Sequence, residues 1–168
     1  INILNEKYKT HGKIQRQRTE KKARELWRSK SKFCCMVVSN PDAPERLSLF
    51  KDLSDYKTVD SGGVVLNNIG GPVADKMEFI KDYRFVIAFE NASYPGYTTE
   101  KILEPFLAGC IPLYWGNPLI EKDFNKKSFL NLDNLKHIAT SSSFLRSVSA
   151  VLISFTEAAF IVCSLMAI

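Results

Sequence analysis

The chain has 168 residues, a net charge of +5, 45% hydrophobic and 24% charged residues. That composition excludes a wholly disordered chain, a collagen and a polytopic membrane protein, and the length suits one domain with a sizeable core. The charge is uneven: 11 of the 23 Lys/Arg lie in residues 1–32, against 3 of the 18 Asp/Glu, so the rest of the chain is mildly acidic.

Residues 1–32 read as a basic lead-in arm, with a short apolar stripe at Ala23, Leu26 and Trp27. A nucleic-acid or anionic-membrane patch is weighed against a solvated linker or helix. The absence of interleaved aromatics favours the latter, so no nucleic-acid partner is expected. Phe33–Val38 is a strand candidate that ends in Ser39-Asn40-Pro41. Asp42-Ala43-Pro44-Glu45 then opens a helix. Lys57-Thr58-Val59 reads as a short strand broken by Asp60-Ser61-Gly62-Gly63, and Ala74–Asp82 has helical spacing. Tyr83–Phe89 is a buried strand and Glu90–Gly96 a polar loop. Tyr97–Gly109 is a helix capped by Thr98 or Thr99. Ile111–Trp115 and Phe129–Leu132 complete the strands. Strands alternating with helices imply an α/β fold, a parallel sheet with crossover helices whose ligands sit at the strands' carboxyl ends.

Cys34 and Cys35 are adjacent and face opposite ways in a strand. With Cys110 and Cys163 they read as buried free thiols rather than a disulfide scaffold or zinc site. No P-loop, dinucleotide fingerprint, nucleophile elbow or HExxH motif occurs, and His11 and His137 offer no triad. Nor is there an Asp-x-Asp pair to hold a divalent ion against a diphosphate, so no metal or other cofactor is expected. Cationic side chains and helix N-termini must hold any bound phosphate, and the helix opening at Thr98-Thr99-Glu100-Lys101 offers free N–H groups for it. Arg46 and Lys101 both fall near helix N-termini, where cations are unfavourable unless they serve an anionic ligand.

The run Tyr83–Asn125 (YRFVIAFENASYPGYTTEKILEPFLAGCIPLYWGNPLIEKDFN) closely resembles the signature of the α-1,3/1,4-fucosyltransferase family, above all its bacterial members. Phe33–Arg46 (FCCMVVSNPDAPER) and Asp60–Gly71 (DSGGVVLNNIGG) resemble family blocks in family order, so the likeness covers roughly residues 33–133. The resemblance implies a Rossmann-like sheet, the C-terminal, GDP-fucose-binding half of a GT-B glycosyltransferase, over residues 33–136. An N-terminal half that binds the glycan acceptor would be missing from this chain. Family members transfer L-fucose to a GlcNAc or glucose hydroxyl with inversion. By similarity Arg46 and Lys101 hold the diphosphate, Asn91 and Tyr97 line the donor pocket, and Glu100 joins Arg46 and Lys101 in catalysis. The base is expected in the missing half, with Glu90 structural, so the alternative is a nucleotide-sugar-binding fragment without turnover. Residues 137–168 depart from the family. Ser147–Ile168 is nearly uncharged and reads as a tail anchor, a buried helix or the product of a shifted frame; the abrupt loss of family character favours a shifted frame or a truncation. A membrane-associated enzyme at the cytoplasmic face of a bacterium, or in the Golgi of a eukaryote, is the expectation that goes with the family.

Overall fold

The computed structural model describes residues 19–133. Five strands form one all-parallel sheet: β1 (Lys32–Met36), β2 (Val59–Ser61), β3 (Tyr83–Phe89), β4 (Ile111–Trp115) and β5 (Leu130–Asn131). They lie in the order β2-β1-β3-β4-β5. The helices are α1 (Glu20–Ser29), α2 (Pro44–Tyr56), α3 (Lys76–Ile80) and α4 (Glu100–Leu107), with a 3-10 turn at Ile120–Lys122.

The strands read as apolar runs because both faces are covered. On one face Cys34, Met36, Phe85, Ile87, Phe89, Leu113 and Trp115 pack with Trp27 of α1 and Leu49, Phe50 and Leu53 of α2. On the other, Cys35, Val86 and Tyr83 meet Ile80 of α3, while Ala88 and Tyr114 meet Ile102, Leu103 and Phe106 of α4. Cys34 and Cys35 do face opposite ways. Both are buried and free, and burial pushes both thiols up. Cys163 lies outside the described residues.

Several element bounds shift from the sequence expectations, and two of the shifts bear on packing. The lead-in drawn over residues 1–32 is folded from Thr19 onward: Ala23 is buried, Trp27 lies under the Arg84 guanidinium at 4.3 Å, and Lys30 is only 1% exposed. The Lys30 ammonium donates to the carbonyls of Lys81 (2.7 Å) and Ala108 (3.1 Å), pinning α1 to the amino-end side of the sheet. Gly109 makes room beside it. Its φ is +68°, and a Cβ there would lie 2.3 Å from Leu26 Cδ2. The second strand starts two residues later than the apolar pattern suggests. Lys57 N–H donates to Leu53 O and so still belongs to the end of α2, while Asp60 and Ser61 pair with Cys35 and Met36. Asp60 is accommodated because its carboxylate accepts from the Tyr83 hydroxyl at 2.6 Å and from Lys32 at 3.3 Å.

The loop after β2 closes over the sheet edge. Asn68 Oδ1 accepts from Ser61 N–H at 2.7 Å and its Nδ2 donates to Val59 O at 2.9 Å, so the side-chain amide stands where a neighbouring strand would.

Candidate active site

The strand order reverses between β1 and β3: β2 lies on one side of β1, and the chain then returns to its other side. In open parallel sheets the crevice at such a reversal, outside the carboxyl ends, is where ligands bind. The segments leaving β1 and β3 there carry Asn40 and Arg46, then Glu90, Asn91, Thr99 and Lys101.

Arg46 is placed by α2. Pro44 opens the helix, no side chain caps it, and the Arg46 guanidinium turns inward from that same first turn. It is only 1% exposed. Its Nη2 donates to Glu90 O at 3.2 Å and Asn91 Oδ1 at 2.7 Å, and Nη1 to Asn40 O at 3.4 Å. Nε is buried without a hydrogen-bond partner. Burial pushes the guanidinium below its ordinary pKa, and Glu90 and Tyr97 act in the opposite sense. This charge is enclosed between the two strand ends.

Lys101 stands in the first turn of α4. Thr99 caps that helix, its Oγ1 accepting from Lys101 N–H. Glu90, 0% exposed at the end of β3, faces the cap. Its Oε1 accepts from Thr99 N–H at 2.8 Å and its Oε2 from Thr99 Oγ1 at 2.7 Å. The Lys101 ammonium donates to Thr99 Oγ1 at 3.2 Å and Glu90 Oε2 at 3.4 Å, and lies 3.9 Å from Glu100 Oε1. Lys101's side chain is 18% exposed and Glu100's 37%, so both reach the surface of the crevice. The anion that this helix start favours is in the first place the chain's own Glu90. A second anion must use the Lys101 ammonium rather than the Thr99 N–H.

The loop between β3 and α4 is held by Asn117, 1% exposed at the end of β4. Its Oδ1 accepts from Gly96 N–H at 3.0 Å and its Nδ2 donates to Thr98 Oγ1 at 2.9 Å. Its own N–H donates to the Tyr114 hydroxyl at 3.0 Å. Burial pushes that phenol up to about 12. Tyr97 stacks on Tyr94, ring centroids 4.6 Å apart, and Trp115 lies against Phe89.

The structure thus brings together Arg46, Asn91 and Lys101 around Glu90, with Glu100 beside Lys101 and Tyr97 close enough to Arg46 to act on its charge. Two residues that organise this region were not among the expected site residues: Glu90, which was expected to be structural, and Asn117. The signal for Glu90 was a carboxylate directly at the end of an apolar run, which burial of that strand end makes costly unless it is bonded. Among the described residues no group of three or more His, Cys, Asp or Glu is placed to hold a metal ion. Among them, too, no helix is long and apolar enough to cross a membrane; residues 147–168 lie outside that set.

The family described as "Glycosyltransferase family 10 (fucosyltransferase) C-term" matches residues 27–155. The chain is 40% identical over 114 residues to the alpha-(1,3)-fucosyltransferase FucT of Helicobacter pylori, covering 68% of this chain and 24% of that protein. It is 32% identical over 126 residues to the human GDP-fucose protein O-fucosyltransferase 3, covering 68% of this chain and 26% of that one. A crystal structure of an alpha1,3-fucosyltransferase with GDP-fucose superposes with a TM-score of 0.70 at 34% identity, over 80% of this chain and 38% of that one. The chain spans about a quarter of the curated relatives it matches. A parallel sheet with its cations gathered at the strand reversal, matched over most of its length by that family, makes this chain a member of glycosyltransferase family 10, the fucosyltransferases.

Proposed function

We propose that the chain is the donor-binding part of a fucosyltransferase, holding GDP-fucose at the carboxyl ends of β1 and β3 in a GT-B arrangement. The observation that carries this reading is that Arg46 and Lys101, from two different helices, both bond to Glu90, one to its carbonyl and one to its carboxylate. Cations brought to one strand end suit a pyrophosphate, and the relatives include a structure with GDP-fucose.

When the bond from fucose to GDP breaks, negative charge builds on the diphosphate. Cations fixed beforehand favour that charged transition state over the ground state. Lys101 takes the growing charge at the surface of the crevice, and Arg46 fixes Asn91 and the β3 end beneath it. Glu100, half in solvent beside Lys101, is placed to oppose positive charge developing on the sugar. Tyr97 lines the pocket. No metal is needed for these roles, and EDTA is expected to leave donor binding unchanged.

The acceptor in this proposal is a GlcNAc or glucose hydroxyl of a glycan, attacked with inversion. The base that takes its proton belongs to an N-terminal half outside these 168 residues. Glu90 cannot serve as that base in this arrangement, since it is fully buried and already bonded. The chain alone therefore binds donor without turnover. Calorimetry with GDP-fucose tests the first part and radiolabelled fucose transfer the second. No heat of binding would remove the donor reading, and steady turnover by the chain alone would remove the incomplete-fragment reading. Residues 147–168 keep three readings, a tail anchor, a buried helix or a shifted frame, and vesicle partitioning with and without residues 144–168 separates the anchor from the other two.

A further inference from the structure

We propose that Glu90 is a positioning residue for the diphosphate: it sets the spacing of the two cations by holding Arg46 with its carbonyl and Lys101 with its carboxylate. The inference rests on the donor-binding reading above and adds a residue to it.

Four contacts fix Glu90 itself. Its N–H donates to Trp115 O at 2.9 Å, which ties it to the end of β4. Its carboxylate takes both the N–H and the hydroxyl of Thr99, and so sets where α4 begins. Its stem lies against Gly116, where a Cβ would come within 2.5 Å of Glu90 Cγ and 2.7 Å of its Cβ. Gly116 also has a φ of +151°, so the position suits glycine twice over. The residue is buried, braced on three sides, and touches the cations rather than the crevice.

A lysine is a point charge on a flexible stem, and holding it in place before the ligand arrives removes an ordering cost from binding. Glu90 and the Thr99 hydroxyl supply that hold, through contacts of 3.4 and 3.2 Å that leave the ammonium partly exposed. Simple Coulomb reasoning and the positioning role predict opposite signs. Removing a carboxylate beside an anion site strengthens anion binding if charge alone matters. It weakens binding if the carboxylate is what keeps the ammonium and the helix start in register.

The test is calorimetry of GDP binding to the 168-residue chain as wild type, Glu90→Gln, Lys101→Ala and the double variant. The expected result is a Kd about tenfold weaker for Glu90→Gln, and no further loss when the same change is made in Lys101→Ala. Unchanged or tighter binding by Glu90→Gln overturns the proposal. So does an equal loss in both backgrounds, which marks Glu90 as a support of the fold alone. Should Glu90→Gln fail to fold, Thr99 decides. Thr99→Val is expected to bind GDP more weakly and Thr99→Ser to bind as wild type, and equal Kd values for the two overturn the proposal. A wild-type chain that binds no GDP sinks the donor reading and this inference together, whereas wild-type binding with an indifferent Glu90→Gln sinks this inference alone.

Discussion

Each end of the sheet keeps a lysine out of bulk water, and the two are treated differently. At the amino end, Lys30 is 1% exposed and its ammonium meets fixed carbonyls at 2.7 and 3.1 Å. At the carboxyl end, Lys101 is 18% exposed, and its side-chain partners stand at 3.2, 3.4 and 3.9 Å. Charge met at short range by backbone has nothing left to offer a ligand. Charge met loosely, by side chains at the edge of a crevice, can be transferred to one. The contrast separates a staple from a binding group, although both are lysines beside helix ends.

The largest effect expected from this contrast is at the staple. Lys30→Met leaves two partly buried carbonyls without this donor, at roughly 1–3 kcal/mol each. Urea unfolding should show that loss while the Kd for GDP stays the same; weaker GDP binding by the folded variant would blur the distinction. Next comes Arg46→Ala, which removes an enclosed, bonded charge and should weaken GDP binding by about 2–5 kcal/mol. Calorimetry reads it, and an unchanged Kd would place Arg46 with Lys30 among the structural charges. Lys101→Ala should cost about 1.5–3 kcal/mol of GDP binding with little change in melting temperature. A large drop in melting temperature would mean that Lys101 too is a staple.

The smallest effect concerns the Tyr114 hydroxyl that receives the Asn117 N–H. Its folded pKa, about 12, lies above the unfolded value near 10. Its neutral form is therefore favoured by the fold, so the contribution is complete below pH 10 and is lost as pH rises toward 12. The slope is about 1.4 kcal/mol per pH unit across that window. Unfolding free energies of wild type and Tyr114→Phe between pH 9 and 12, on the order of one pH unit apart, should show the slope reduced in the variant. Burial pushes Tyr83 up as well, so part of the slope remains.

The strands β3 and β4 were legible to the residue, because strands buried on both faces leave unbroken apolar runs. The positions of Arg46, Asn91, Tyr97, Glu100 and Lys101 in one region were legible from the strand-end logic and the family likeness. What could not be read depends on contacts distant in sequence. The stripe of helix α1 was visible at Ala23, Leu26 and Trp27, but its burial was not, because that rests on Arg84 over Trp27 and on carbonyls 51 and 78 residues away from Lys30. The strand identity of Asp60 depends on Tyr83, 23 residues on. Glu90's role depends on a cap nine residues later and on a glycine beyond the next strand. Helix α4 was expected from Tyr97 but begins at Glu100, since Thr99 is committed to Glu90.

The amide of Asn68 has a wider bearing. By occupying Ser61 N–H and Val59 O it denies the outer flank of β2 to any other polypeptide. Crowded copies of this chain thus have no open ladder there on which to nucleate a shared sheet, and assembly along that flank must first evict one asparagine.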